Sequence, residues 1–162
     1  MRRVSFEEMN CSVARTLEVV GEWWTLLILR DAFRGVRRFE EFQARLGIAR
    51  NILTTRLQTL VRHGLMERQL YEEHPPRYEY RLTPEGEEIF PVIAGLLRWG
   101  DRFRAGPAGS PVVLIHEGCG HQADPVLVCS HCGQPVAAGD MRTEPGPGAG
   151  GAGVTRDGAS AG

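Results

Sequence analysis

Three of the chain's four cysteines and three of its five histidines fall between residues 116 and 133, in the stretch HEGCGHQADPVLVCSHCG. Thiolates and imidazoles gathered this closely can bind a metal, close a disulfide or cycle as a redox pair. Two residues separate His116 from Cys119, and two separate Cys129 from Cys132; Cys119 and Cys132 are each followed by glycine. Ligands spaced so along a tight turn can reach one ion, and glycine lets backbone N–H groups turn toward the sulfur. Three thiolates with one imidazole form a closed tetrahedral zinc set, with no open position for catalysis. His116, Cys119, Cys129 and Cys132 are therefore the expected ligands of one structural zinc per chain. His121 is the alternative fourth ligand, and His131 is less well placed. A metal-free Cys129–Cys132 redox pair and a frayed tail are the competing readings, against which two matched Cys-Gly knuckles argue.

The elements that would position these ligands are small. VVLI (112–115) and PVLV (125–128) precede the two knuckles and read as the short strands of a zinc-ribbon-like module over 112–140. A segment of about 30 residues buries little core, so a metal would supply folding energy that it lacks. Residues 105–111, AGPAGSP, read as a linker, and the Gly/Ala/Pro-rich 141–162 as a disordered tail.

At 162 residues with 42% hydrophobic content, the chain has room for one ordinary globular domain, here expected over 1–104, besides this module. No apolar run is long enough to span a membrane, and MRRVSFEEMN lacks the apolar stretch of a signal peptide. A cytoplasmic location is expected, where thiols stay reduced and clustered cysteines more often hold metal than form disulfides. The net charge of −1 hides an asymmetry. Within 30–68 there are nine arginines against Asp31, Glu40, Glu41 and Glu67, a local excess that suits a polyanion as well as a solvated helical surface.

Hydrophobic spacing predicts four helices, a hairpin and a long helix. SVARTLEVVG starts at Ser12 as N-cap and ends at Gly21; EWWTLLILRDAFRG is apolar on most sides and reads as the buried central helix. RFEEFQARLG spaces Phe39, Phe42 and Leu46 on one face, and ARNILTTRLQTLVRHG does the same with Leu53, Leu57, Leu60 and Val61. The alternating runs 65–71 and 78–82 flank EEHPPR and read as a hairpin with a proline-stiffened tip. TPEGEEIFPVIAGLLRWGDRFR then opens on Thr83 as N-cap with Pro84 in the first turn, and Pro91 is expected to bend it.

Two helices joined by a short turn and followed by a hairpin make a winged helix-turn-helix. The fold class expected is mainly α with a small β wing, carrying the zinc-ribbon-like module at its end. With the apolar face of helix 50–63 set aside, Arg50, Asn51, Thr54, Thr55, Gln58 and Arg62 point outward. Arginine can pair with guanine, Asn and Gln with adenine, and the Thr methyl can meet the thymine methyl. No acidic residue lies in 42–66, whereas a merely solvated helix face would normally include glutamate. Arg38 and the wing-tip Arg77 are further candidate contacts to double-stranded DNA, although Arg77 could instead pair with Glu72 or Glu73.

The run from VGEWWTLLILRDAFRG through RRFEEF, GIARNILTTRLQTL, HGLMER and PPRYEYRLTPEG to WGDR resembles the HxlR family of bacterial winged-helix regulators, related to the MarR group, over about residues 11–103. Glu22 departs from that pattern, which usually has a small or basic residue there. The resemblance implies a homodimer built by the first and last helices, a recognition helix in the major groove and a wing on the flanking backbone. Some members of the family sense quinones, aldehydes or oxidants through a cysteine near the N-terminus. Cys11 matches that position, and is otherwise a small hydrophobe. The function expected is sequence-specific transcriptional regulation, as a repressor on an inverted repeat, with a redox or electrophile signal through Cys11. Independently of the resemblance, the last helix carries a wider apolar stripe than a domain of this size covers, which also points to a homodimer.

No phosphate loop, nucleophile motif or carboxylate pair with a neighbouring histidine appears, so an enzyme is not expected. The alternative is a winged-helix and zinc-ribbon module that binds proteins of the transcription machinery. That reading calls for an apolar or acidic outer face on helix 50–63, which this sequence does not provide.

Overall fold

A computed structural model describes Ser5, Phe6 and residues 8–149. The helices are α1 (Ser12–Val20), α2 (Trp23–Phe33), α3 (Phe39–Leu46), α4 (Arg50–Arg62), α5 (Pro84–Glu87) and α6 (Phe90–Arg104). Strands β1 (Met66–Glu73) and β2 (Pro76–Leu82) form one antiparallel hairpin; β3 (Leu114–His116) and β4 (His121–Ala123) form a second. Among the described residues no helix is long and apolar enough to cross a membrane.

The core gathers where the predicted apolar faces meet. Ile28 and Leu29 of α2, Phe42 of α3, and Leu53, Leu57 and Leu60 of α4 are fully buried together, with Met66 at the start of β1. The short turn between α3 and α4 depends on two residues. Gly47 takes a left-handed φ of 61°, which a side chain would strain, and Ile48, 3% exposed, plugs into the core. Glu41 fixes the start of α3 by accepting hydrogen bonds from the Arg38 and Arg37 backbone N–H groups, at 3.1 and 3.4 Å. Those bonds hold its carboxyl below the usual carboxylate range.

Among the described residues, one charged side chain is wholly inside. Asp31 of α2 accepts from Arg30 Nε at 2.9 Å, and its other oxygen lies 3.5 Å from Arg45 Nε on α3. A carboxylate out of water is tolerable only when paired, so this contact fixes α3 against α2 as well as neutralising the charge.

The structure corrects the sequence reading at several points. Cys11, not Ser12, occupies the N-cap of α1, and it makes no side-chain capping bond. The strands run into EEHPPR, leaving only His74 and Pro75 at the tip. Thr83 does cap α5, accepting from the Gly86 N–H at 3.0 Å, but the long helix is broken rather than bent. Pro91 has no N–H to continue α5, so it starts α6 in the first turn, where none is needed. Gly86 is dictated by proximity, since a Cβ there would lie 1.9 Å from the Leu65 carbonyl oxygen.

The chain divides into two compact units, one ending at Val126 and one starting at Leu127. Within the first unit the β3–β4 hairpin packs with α6. Arg98 Nε donates to Asp124 Oδ1 at 2.7 Å, and Ala94 and Leu97 share a cleft with Val112 and Leu114. In the second unit, Ala138–Asp140 form one 3-10 turn, and 141–149 contain no helix or strand. The rest of the expected disordered tail, 150–162, lies outside the described residues.

Candidate nucleic-acid interface

The outward face of α4 is what remains once Leu53, Leu57 and Leu60 turn inward. Arg50, Asn51, Thr55, Gln58 and Arg62 are exposed, whereas Thr54, also expected to point outward, is half-buried. The two threonine hydroxyls donate back to the helix, Thr54 Oγ1 to the Arg50 carbonyl at 2.8 Å and Thr55 Oγ1 to the Asn51 carbonyl at 2.9 Å. Their protons are committed, so toward an incoming ligand they present lone pairs and methyl groups. Arg50 is steadied by the ring of Phe39, 4.8 Å from its guanidinium carbon.

The nine arginines of 30–68 are not equivalent. Arg30, Arg34 and Arg45 surround Asp31. Arg56 pairs with Glu22, at 3.3 Å from Nη2 to Oε2. Arg37, Arg38, Arg50, Arg62 and Arg68 are in none of these ion pairs. A count of charge along the sequence therefore overstates the basic surface, while the residues of the α4 outer face keep theirs.

The wing carries its arginines on aromatic rings. Arg38 lies over Tyr71 at 4.8 Å and Arg68 over Tyr78 at 3.5 Å. The segment before α3 adds an edge to the wing: Arg38 bridges Glu79, and the Tyr80 N–H donates to the Arg37 carbonyl at 2.8 Å. A register shift between Leu70 and Glu72 marks a β-bulge, which increases the local twist toward the tip. Arg77 sits at the tip and is exposed, but its Nε lies 3.3 Å from Glu72 Oε2. The Tyr71 hydroxyl and Glu72 raise its already high pKa. Sequence reasoning missed the Tyr71 and Tyr78 supports and the Glu22–Arg56 pair, which join residues distant along the chain or across strands.

The predicted metal ligands fall into two local pairs. His116 Nδ1 is 3.3 Å from Cys119 Sγ in the β3–β4 turn. In the second unit the backbone N–H groups of Cys132 and His131 point at the Cys129 sulfur, as does the Cys132 thiol, and these bonds hold the Cys129 thiol below its usual range. Among the described residues no three such ligating side chains gather at one point, and the two pairs belong to different units. The expected ribbon strands are only partly present. VVLI contributes to β3, whereas PVLV forms only a Val128–Pro135 bridge, and each knuckle closes its own short hairpin. Cys11 is exposed at the start of α1.

Comparison with known proteins places this arrangement. Residues 19–106 match the model of the HxlR-like helix-turn-helix family. The uncharacterized HTH-type transcriptional regulator Rv3095 of Mycobacterium tuberculosis is 51% identical over 137 residues, 85% of this chain and 87% of that one. Bacillus subtilis YdeP, another protein named as an HTH-type transcriptional regulator, is 35% identical over 96 residues, 59% of this chain and 75% of its own. Among solved structures, PA1607, provisionally named a transcription factor, superposes with a TM-score of 0.78 at 40% identity, covering 87% of this chain and 99% of that one. The redox regulator HypR in its reduced form superposes with a TM-score of 0.55 at 32% identity, covering 58% of this chain and 94% of its own. These relatives are named as regulators, and the fold is a DNA-binding one rather than that of an enzyme. The chain belongs to the HxlR-like helix-turn-helix family.

Proposed function

We propose that this chain is a sequence-specific DNA-binding transcriptional regulator, acting in the cytoplasm as a homodimeric repressor on an inverted-repeat operator. The observation that carries the reading is the α4 outer face. Arg50, Asn51, Gln58 and Arg62 stand exposed there with no acidic neighbour on the helix, on a helix-turn-helix whose inner side is fully buried. Such a face supplies bidentate donors for base edges, and the aromatic-backed Arg38 and Arg68 of the wing region supply charge for phosphates. Relatives named as HTH-type transcriptional regulators support the same reading.

The dimer follows from the apolar surface. Val92, Leu96, Trp99 and Phe103 recur at steps of three and four along α6, and all are exposed. Val13 and Leu17 make a similar exposed pair on α1. A two-fold dimer through these faces would set two α4 helices on half-sites about one helical turn apart. The redox input proposed is Cys11, whose exposed sulfur starts α1 and so adjoins that surface; the likeness to HypR, a redox regulator, supports it. Selection of sites from random DNA tests the whole reading. Enrichment of a short inverted repeat is expected, and recovery of unenriched sequence contradicts it.

A further inference from the structure

The wing hairpin is acidic by sequence. Between residues 66 and 82, Arg68, Arg77 and Arg81 stand against Glu67, Glu72, Glu73 and Glu79. Net charge alone therefore gives the hairpin no attraction for a polyanion. What matters is how each arginine is engaged. Arg77 Nε lies 3.3 Å from Glu72 Oε2, and Arg81 Nε donates to Glu79 Oε1 at 2.6 Å, so both spend donors and charge on a carboxylate. Glu67 accepts from Gln69. Arg68 is in none of these ion pairs; its guanidinium carbon lies 3.5 Å from the centre of the Tyr78 ring. Arg38, joined to the wing through its bridge to Glu79, lies 4.8 Å over Tyr71 in the same way.

A guanidinium on a ring differs from one on a carboxylate. The ring takes its face, while the N–H donors in its plane stay free for a second, bidentate partner. Tyr71 and Tyr78 are 37% and 36% exposed, so neither is spent on the core. Tyr71 is also the extra residue of the β-bulge: Leu70 pairs with Tyr78 and Glu72 with Arg77, which leaves Tyr71 without a cross-strand partner. A bulge re-aims a side chain, and this one meets an arginine from another segment of the chain.

We infer that Tyr71 and Tyr78 are positioning residues for DNA: their rings hold Arg38 and Arg68 off the neighbouring glutamates, with donors open to backbone phosphates. The inference rests on the proposal that this chain binds DNA, and adds which arginines of the wing region carry the contact. The two stacked arginines do so. Arg77, at the tip but already neutralised by Glu72, contributes less.

The test is binding of the full chain to a mixed-sequence DNA duplex across a series of salt concentrations. Tyr78→Leu should weaken binding about two- to fivefold, the worth of an exposed stack, although no charge changes. Tyr78→Phe keeps the ring and should bind as wild type does. Arg68→Ala should weaken binding and flatten the salt slope by about one unit, and Arg77→Ala should do less. Adding Tyr78→Leu to Arg68→Ala should cost nothing more, whereas a tyrosine that only shapes the wing would still cost its full amount. Arg38→Ala and Tyr71→Leu repeat the cycle on the other stack, and thermal melts check that each variant is folded. Should Tyr78→Leu not fold, that second cycle decides alone. Wild type with no affinity for duplex overturns DNA binding itself, and this inference with it. Wild type that binds, with Tyr78→Leu binding equally well or with the tyrosine and arginine losses additive, overturns the positioning role alone. So does a loss in Arg77→Ala as large as that in Arg68→Ala.

Discussion

Glu22 Oε2 lies 3.3 Å from Arg56 Nη2, joining the start of α2 to the middle of α4. Both side chains are largely withdrawn from solvent, and Arg56 Nε is buried with no hydrogen-bond partner of its own. The contact anchors the helix bearing the candidate DNA face. Glu22→Gln should destabilise the fold by about 1–2 kcal/mol, because it leaves a half-buried guanidinium without its counter-charge. Urea denaturation of the single variants and of Glu22→Gln/Arg56→Gln measures the coupling. Additive effects would show the pair to be inert.

Glu41 gives a pH-dependent version of the same question. Its folded carboxyl titrates below the ordinary range because the Arg38 and Arg37 N–H groups favour the charged form. Its stabilising effect is therefore complete above the ordinary glutamate pKa of about 4.3 and is lost as pH falls through the lower folded value. Glu41→Gln should cost about 0.5–1 kcal/mol at pH 7, the scale of a helix cap, and the difference from wild type should shrink on acidification below pH of about 4. Thermal melts from neutral to acid pH read both.

The apolar stripe on α6 sets the next expectation. Trp99, 52% exposed, and Leu96, 51% exposed, are adjacent members of it. Trp99→Asp and Leu96→Asp should each yield a folded monomer by sedimentation. Monomers should bind an inverted repeat about 10²-fold or more weakly, because the second half-site no longer gains from tethering. A wild-type monomer in sedimentation contradicts the expectation.

Cys11→Ser should bind DNA as wild type does under reducing conditions and keep that affinity after mild oxidant, which should weaken the wild type. A serine variant as oxidant-sensitive as wild type would transfer the signal to another thiol.

Much of this was legible in the sequence because local rules and burial agreed. The spacing of Leu53, Leu57 and Leu60 foretold a buried face, and the glycine at 47 with an apolar residue after it foretold the turn. Thr83 and Pro84 announced a helix start. What stayed hidden is pairing through space. Asp31 reads as a single charge on an apolar helix, and only the fold shows Arg45 of α3 reaching it. Glu22 and Arg56 are too far apart in sequence for any periodicity to couple them. PVLV has strand composition, but Val126, Leu127 and Val128 are all exposed, and a strand lacking a surface to cover has little reason to form. HQA, with weak strand character, becomes β4 because the Gly120 turn folds it back on β3.

If the α4 face reads DNA sequence, its outer side chains must discriminate between duplexes. The most direct measurement is the affinity of wild type, Arg50→Ala and Gln58→Ala for the selected operator and for a scrambled duplex, at one fixed salt concentration. Wild type should prefer the operator by about 10³-fold or more. Each substitution should weaken operator binding by about 1–3 kcal/mol and leave scrambled DNA nearly unchanged for Gln58→Ala. Equal affinity of wild type for both duplexes, or full specificity retained by both variants, would mean that α4 does not read sequence.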